Sequence, residues 1–280
     1  MLQLAGTAVE ALSVAGLETC IQLPGFGLCF DMGVCPPSAV SLRDVLFTHA
    51  HIDHMGAVVS HCATRSLYGL PPPRYLFPEE NEEALRALLE VWRKLDHSEL
   101  DCALRPVRPG EDIQLGKGLR AQTFRSIHRV PSVGYGLYKT RSRLRPEWQG
   151  APGEELRAAK AAGEVIAEEV EALEVVFCGD TVIDVVEREP MVRTARLLIL
   201  ECTFVDDTVS VAGARKLGHV HLDEIIERAD LFENEAILLT HLSARYPLRA
   251  AQQILARRLP ASLRDRVTLL PHHRFGRAPA

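Results

Sequence analysis

The chain has 280 residues, 47% of them hydrophobic, and no linker that would separate two domains, so we predict one domain spanning residues 1–280. A formal net charge of −5 excludes a general attraction to nucleic acid, and no apolar run approaches the roughly 18 to 20 residues of a membrane span. The seven cysteines are scattered and contain no CxxC pair, which predicts reduced thiols. The first residues lack the pattern of an export signal, so we expect a cytoplasmic protein with no membrane partner.

The first half of the chain is rich in short apolar segments that predict strands. These segments cover residues 18–23, 28–32, 44–49, 74–77, 119–127 and 133–138, and two helices are predicted at 55–65 and 79–95. In the second helix, apolar residues recur at helical spacing, which predicts a buried core stripe of Leu85, Leu88, Leu89, Trp92 and Leu95.

The second half alternates strands with helices. An Ala- and Glu-rich segment at 154–171 is predicted to be partly helical, followed by strands at 174–178, 197–201, 236–240 and 267–270 and helices at 222–231 and 247–257. Many strands with flanking helices predict two packed sheets that are covered on their outer faces.

A cluster of polar side chains follows the strand predicted at 44–49. His49 and His51 are two residues apart, so in an extended segment they point the same way and can bind one cation. Asp53 and His54 come just beyond, where the chain enters a helix, and face a second cation. Imidazole suits zinc and its neighbours, and two metals sharing a water can generate hydroxide near neutral pH. The sequence therefore predicts a hydrolytic metal site.

Three further candidates stand at strand ends, where loops present ligands. They are His128, the Gly179-Asp180 pair and His241. Taken singly, a His after a strand is more often a hydrogen-bonded structural residue, and a Gly-Asp pair is more often a simple turn. Their order and their combination with the first cluster favour a shared metal site.

This set resembles the metallo-β-lactamase superfamily and, within it, the short form of ribonuclease Z, the endonuclease that removes the 3′ trailer of precursor tRNA. The HxHxDH motif is complete, and Asp31 is similar to the Asp that braces the metal loop. The resemblance implies an α+β fold, the four-layer αββα metallo-β-lactamase-like sandwich. It also implies two Zn²⁺ ions per subunit, with Mn²⁺ as an alternative. His49, His51 and His128 would bind one ion, Asp53, His54 and His241 the other, and Asp180 both.

Two more residues resemble the Glu and His pair of ribonuclease Z that delivers a proton to the leaving 3′ oxygen. They are Glu201 in Leu-Glu-Cys-Thr-Phe and His219 in Gly-His-Val-His. A carboxylate bonded to an imidazole fixes its tautomer and favours its protonated form. The alternative is a buried structural Glu with a helix-capping His. Because His221 follows two residues later, only the resemblance ranks His219 above it.

Substrate contacts are predicted from a basic segment. Lys139, Arg141, Arg143 and Arg145 alternate, so an extended segment would present them on one face to several phosphates, although a solvated loop fits the sequence equally well. Arg245 is a candidate contact to the RNA end or a structural ion pair. The resemblance implies a Gly- and Pro-rich tRNA-gripping arm in many members. Here only Pro146, Gly150, Pro152 and Gly153 resemble a remnant of it, and a shorter basic arm fits the sequence better.

The leading hypothesis is therefore a zinc-dependent endoribonuclease acting on precursor tRNA, in which a bridging hydroxide oriented by Asp53 attacks the phosphorus. The resemblance also implies a homodimer. The alternative is a metallo-β-lactamase-fold hydrolase of a small phosphodiester or ester, and a third class is a metal-binding scaffold without catalysis. We read the remaining histidines, which are His61, His97, His272 and His273, as surface or packing residues.

Overall fold

The computed structural model describes residues 1–271. The strands are β1 Leu2–Leu4, β2 Thr7–Ala15, β3 Glu18–Leu23, β4 Leu28–Phe30, β5 Asp44–Leu46, β6 Arg74–Pro78, β7 Ala103–Val107, β8 Asp112–Gly116, β9 Leu119–Arg125, β10 Val133–Leu144, β11 Ala167–Phe177, β12 Leu197–Glu201, β13 Ala236–Thr240, β14 Leu242–Ser243 and β15 Val267–Leu269. The helices are α1 Ile52–Met55, α2 Val58–Leu67, α3 Glu82–Asp96, α4 Gly153–Ala161, α5 Asp184–Arg188, α6 Pro190–Thr194, α7 Val211–Leu217, α8 Leu222–Glu227, α9 Leu248–Arg258 and α10 Ala261–Arg264. The predicted roles of His272 and His273 lie outside the described residues.

The strands form two mixed sheets. One has eight strands, in the order β1 to β7 with β14 beside β2, and the other has seven in the order β15-β13-β12-β11-β10-β9-β8. In the first sheet β4, β5, β6 and β7 are parallel, and in the second β11, β12, β13 and β15 are parallel. Parallel neighbours end at the same edge of a sheet, so the loops after them come together.

Three apolar clusters hold the layers together. One lies between the sheets and contains residues from both, such as Phe30 of β4, Tyr135 of β10 and Phe177 of β11. A second joins the first sheet to α2 and α3, and a third joins the second sheet to helices that include α8 and α9. This arrangement gives the predicted four layers, with a helical layer outside each sheet.

The structure corrects several predicted boundaries. β11 begins at Ala167 rather than at residue 174, and β10 runs on to Leu144, because these ends pair in an antiparallel ribbon. Charged side chains alternate there, which hid the strands behind a helix-like composition. The strands β1, β2, β7, β8 and β14 were not predicted, and the first predicted helix is broken near Gly56 into α1 and α2.

The predicted core stripe of α3 is only partly correct. Leu85 and Leu89 are buried, whereas Leu88, Trp92 and Leu95 are exposed. The helix lies on the outside of the first sheet, so only the narrow face that touches the sheet is covered. Spacing alone identified the apolar face but could not determine how much of it is buried.

Candidate metal centre

The predicted ligands follow strands that end at one edge of the two sheets. The motif from His49 to His54 follows β5, and His128 follows β9. β9 and β11 run in the same direction because both are antiparallel to β10. Asp180 and His241 follow β11 and β13, so the topology brings residues far apart in sequence to one place.

Four side chains form the first cluster, His49, His51, His128 and Asp180. Nδ1 of His51 lies 3.0 Å from Nε2 of His49 and 3.4 Å from Nε2 of His128. Oδ2 of Asp180 lies 3.8 Å from Nε2 of His49 and 3.9 Å from Nε2 of His128. A tetrahedral ion with ligand distances of about 2.1 Å would give ligand-to-ligand distances of about 3.4 Å, so the cluster fits one such ion.

The second cluster contains Asp53, His54 and His241. Oδ2 of Asp53 lies 3.7 Å from Nε2 of His54 and 4.0 Å from Nε2 of His241. Asp180 faces this cluster too, because its Oδ1 lies 3.2 Å from Nε2 of His54 and its Oδ2 lies 3.2 Å from Nε2 of His241. Its carboxylate therefore has the position of a bridge between two ions.

His54 provides a test of whether these residues suit a metal. Its Nδ1 lies 2.8 Å from Oδ2 of Asp31 and donates a hydrogen bond to it, so Nε2 is the nitrogen that faces the two clusters. Nε2 is buried and has no hydrogen-bond partner among the described residues. Buried nitrogens without a partner are rare, and this one points at two carboxylates. A divalent cation would satisfy all three groups at once, so the site fits a metal.

Asp31 orients the metal loop from behind. It is fully buried after β4, in a left-handed backbone conformation with φ of 52°, which Asp tolerates better than most residues. Its carboxylate accepts hydrogen bonds from the backbone N–H of Thr48 at 2.7 Å and from the Thr48 hydroxyl at 2.8 Å. These bonds fix the loop after β5, and the bond to His54 fixes that ring.

Gly179 places Asp180 through a close backbone approach. Its φ is +62°, and an added Cβ would lie 2.6 Å from the Cβ of Thr48. No other residue fits there without displacing the loop that carries the HxHxDH motif. The Gly-Asp pair is therefore a packing requirement of the site as well as a turn.

Burial keeps several imidazoles in the form that binds metal. The pKa of His49 is lowered well below its usual value by burial first and then by the neighbouring His54. Burial likewise lowers the pKa values of His51 and His128. Neutral imidazole is the ligand form, so these rings are ready to coordinate near neutral pH.

Glu201 and His219 form a pair beside the clusters. Nδ1 of His219 donates a hydrogen bond to Oε1 of Glu201 at 2.8 Å. The Glu201 carboxylate also accepts a hydrogen bond from the Thr203 hydroxyl at 2.7 Å. Two backbone N–H groups, those of Thr181 and Val220, donate to the same carboxylate at 3.0 and 3.2 Å. Burial lowers the pKa of His219, but the charge of Glu201 and the hydrogen bond to it outweigh this effect and raise the pKa to about 9. The His219 ring stacks on that of His241, with 5.4 Å between their centroids.

Comparison with known proteins gives consistent relatives. The sequence profile of the Beta-lactamase superfamily domain matches residues 35–242. A protein named tRNase Z TRZ1 from Arabidopsis thaliana is 40% identical over 271 residues, which cover 96% of each chain. A chloroplastic tRNase Z from the same plant is 35% identical, covering 87% of this chain and 70% of its own.

The chain belongs to the tRNase Z family of the β-lactamase superfamily.

Solved structures agree with the predicted fold. The short form of human tRNase Z superposes with a TM-score of 0.57 at 20% identity, covering 85% of this chain and 93% of that one. The metallo-β-lactamase fold protein YhfI of Bacillus subtilis superposes with a TM-score of 0.61 at 17% identity, covering 94% and 95% of the two chains. These likenesses confirm the predicted fold class.

In this tRNase Z family member, the structure separates His219 from His221. The His221 side chain is buried and caps α8, accepting at Nδ1 from the backbone N–H of Asp223 at 3.1 Å. Its Nε2 donates to the backbone oxygen of Asp206 at 3.1 Å. Both ring nitrogens of His221 are thus engaged in local structure, whereas His219 lies beside the clusters.

Some contacts at the centre were not predicted from the sequence. The backbone N–H of Gly16, in the turn between β2 and β3, donates to Oδ2 of Asp53 at 2.8 Å. The hydroxyl of Ser13 accepts from the backbone N–H of His241 at 3.1 Å. A hydrogen bond from a backbone N–H group in a turn cannot be recognised from the sequence. The contact of Thr48 with Asp31 could have been suspected, because Thr48 directly precedes His49.

The predicted substrate residues lie along β10 and after β14. Lys139 packs over the ring of Phe26, with Nζ 5.2 Å from the centroid. Arg141 forms an ion pair with the buried carboxylate of Glu174, and Arg143 lies opposite Glu168 in the ribbon. Of the two alternatives for the basic segment, the structure shows the extended strand rather than the loop, and acidic residues neutralise part of its charge.

Arg245 contacts its own chain as well. Its Nε donates to the Ser243 hydroxyl at 3.0 Å, and its guanidinium lies 5.3 Å from the centre of the Phe204 ring. It remains exposed beyond these contacts. A salt bridge, which was one alternative for this residue, is absent among residues 1–271.

Proposed function

We propose that this protein is a zinc-dependent endoribonuclease that removes the 3′ trailer of precursor tRNA and leaves a 3′-hydroxyl on the tRNA. The observation that carries the proposal is the position of His219. It is bonded to Glu201 and stacked on His241, next to a carboxylate-bridged pair of clusters. The relatives named tRNase Z support the substrate class.

The proposed metal is zinc, with two ions per chain. Five imidazoles and two carboxylates make up the two clusters, and this mixture suits zinc, with manganese as the alternative. When bound, the ions would supply Lewis acidity, lowering the pKa of a water molecule and neutralising phosphate charge. Metal analysis of the purified protein should find about two ions per chain.

The residues around the metals would orient the attacking water, donate a proton to the leaving group and bind the RNA. Asp53 sits at the edge of the second cluster, where its carboxylate can orient the attacking water. His219 would donate a proton to the 3′ oxygen as the P–O bond breaks, and Glu201 would keep its Nδ1 protonated and its ring oriented. Arg245 and, more weakly, Lys139, Arg141 and Arg143 are the proposed RNA contacts.

The deciding experiment is the incubation of the zinc-loaded protein with a precursor tRNA that carries a 3′ trailer, followed by mapping of the product ends. One cut directly after the discriminator base is expected. An intact precursor together with hydrolysis of a small phosphodiester would overturn the proposal and favour the small-substrate hydrolase.

We also propose a homodimer. Leu88, Val91, Trp92 and Leu95 form an exposed apolar surface on α3. A shallow apolar groove lies between Leu88 and Ile52, a still more exposed residue at the start of α1. Contiguous apolar surface of this kind commonly marks a protein interface, and the proposed occupant is a second copy of the chain.

Light scattering on the purified protein tests the dimer. Trp92→Glu should convert it to a monomer, whereas Val165→Glu, which alters an exposed apolar residue elsewhere, should not. A monomeric wild type would refute the proposal.

The described residues contain no helix that is long and apolar enough to cross a membrane. We propose the cytoplasm as the compartment, since all seven cysteines are free thiols and a reducing environment keeps them so. Imaging of a fluorescent fusion protein tests this location.

A further inference from the structure

A groove of 470 Å³ opens beside His128 at the edge of the metal centre. One wall is the end of β9 and the loop after it, which includes Arg125 and Ser132. The other walls come from Arg188 at the end of α5 and from Glu80 and Pro109 on the first sheet's side. Apart from His128, none of the residues that line this groove has a role in the function proposed above.

The groove brings two arginines together beside the metal centre. Arg125 and Arg188 are exposed, and neither forms an ion pair with a carboxylate within residues 1–271. In a protein of net charge −5, two unpaired guanidinium groups beside a metal centre form a local anion-binding surface.

Glu80 is the acidic residue that lines the groove. Arg108, which pairs with the adjacent Glu79, lies close enough to Glu80 to feel its charge. The negative charge of Glu80 is therefore partly offset at its own end of the groove, and the two free arginines dominate the rest.

We propose that this groove binds the first nucleotides of the single-stranded 3′ trailer, with Arg125 and Arg188 contacting its phosphates. The inference rests on the proposed function. A volume of 470 Å³ is that of a small-ligand pocket and is too small for a duplex stem. A flexible single strand can enter it and place successive phosphates against the two guanidinium groups.

The direction of the RNA follows from the position of His219. The tRNA body ends at the 3′ oxygen that His219 protonates, so the body leaves the centre on the His219 side. The His219 loop packs against one side of His128, where Nδ1 of His128 donates to the backbone oxygen of Gly218 at 2.9 Å. Neither His219 nor Arg245 lines the groove, which starts from the other residues around His128. Because the tRNA body lies on the His219 side, the groove on the other side of His128 is left to bind the 3′ trailer.

The test compares two precursors that differ only in trailer length, one nucleotide and six nucleotides. Arg125→Gln and Arg188→Gln should each lower kcat/KM for the long trailer by about fivefold through KM, and leave the one-nucleotide trailer unchanged. For the long trailer, the slope of log(1/KM) against log salt concentration should become shallower by about 0.7 for each phosphate contact that is lost. Glu80→Gln should have the opposite effect and lower KM.

Arg257→Gln is the matched control. Arg257 is exposed and lies in the last turn of α9, which runs back from the strand edge that carries the metal centre. This variant should cut both precursors like the wild type. Equal losses on both trailers in the Arg125 and Arg188 variants, or no loss on either, would overturn the inference while leaving the nuclease assignment intact. A wild type that cuts neither precursor would overturn both.

Discussion

Asp180 is the side chain that faces both clusters of candidate metal ligands. Its two oxygens lie within 3.2 to 3.9 Å of the ring nitrogens of His49, His54, His128 and His241. It is buried, and Gly179 fixes its backbone against Thr48.

Asp180→Ala should therefore abolish precursor cleavage, by more than about a hundredfold, and lower the bound metal below two ions per chain. Metal analysis and end mapping on the same preparation check both effects. His97→Asn, an exposed position at the end of α3, should change neither. Full activity with normal metal content in Asp180→Ala would disprove the assignment of the bridge.

His219 permits a sharper test, because its proposed role is confined to the leaving group. His219→Ala should slow precursor cleavage by roughly 10²- to 10⁴-fold while the metal content stays at the wild-type level, since the Nδ1 of His219 is bonded to Glu201. Hydrolysis of an activated aryl phosphodiester, whose leaving oxygen needs no proton, should fall far less. Parallel losses on both substrates would argue for a structural role instead.

At the scale of the elements, α2 contains a titratable group that is independent of the metal centre. His61 is fully buried, and its Nδ1 donates to the Tyr75 hydroxyl oxygen at 2.9 Å, while that hydroxyl donates to the backbone oxygen of Val58. Burial, with a contribution from the charge of Arg65, lowers the pKa of His61 to about 4. The sequence left His61 as either a surface or a packing residue, and the structure shows that it is a packing residue.

This shift predicts how stability depends on pH. The unfolded chain binds a proton at His61 below about pH 6.5 and the folded chain only near pH 4, so the contribution of His61 to the free energy of unfolding is complete above pH 6.5 and is lost as the pH falls. The total loss is about 3 kcal/mol. Denaturant unfolding gives the free energy of unfolding of the metal-free wild type and of metal-free His61→Leu. The difference between these two free energies should change by about 3 kcal/mol from pH 7 to pH 4. A constant difference would contradict the prediction.

The sequence was most informative where chemistry dictates spacing. The HxHxDH motif was predicted from its own chemistry and spacing, whereas the resemblance to the superfamily assigned His128, Asp180 and His241 to the same candidate site. Burial was harder to predict. The apolar face of α3 and the charged ribbon of β10 and β11 depend on which neighbours cover them, and that is decided by tertiary packing. The resemblance alone ranked His219 above His221, and the structure separates them because His219 bonds to Glu201 beside the clusters while His221 caps α8.

At the scale of the whole molecule, the metal centre joins the two sheets. The first four candidate ligands lie in the loop and the short helix α1 that follow β5 of the first sheet, and the other three follow strands of the second sheet. The first four are His49, His51, Asp53 and His54, and the other three are His128, Asp180 and His241. The apolar cluster between the sheets joins the same two halves through residues of both. We therefore propose that residues 1–280 unfold as one domain, with the metals and the core acting on the same interface.

This proposal predicts the thermal behaviour of the protein. Bound metal stabilises only the folded state, so removing it with a chelator should lower Tm, and each tenfold rise in free zinc above Kd should add about 1.4 kcal/mol to the free energy of unfolding for each ion bound. Because both sheets contribute candidate ligands, calorimetry should show a single unfolding transition at every zinc concentration. The Tm of that one transition should rise as the zinc concentration rises. If the two sheets were independent domains, the metal-free protein would unfold in two steps, since no ligand would then link them. Two separate transitions in the chelated protein would therefore refute the single domain, whereas a Tm that is unaffected by the chelator would refute the metal centre.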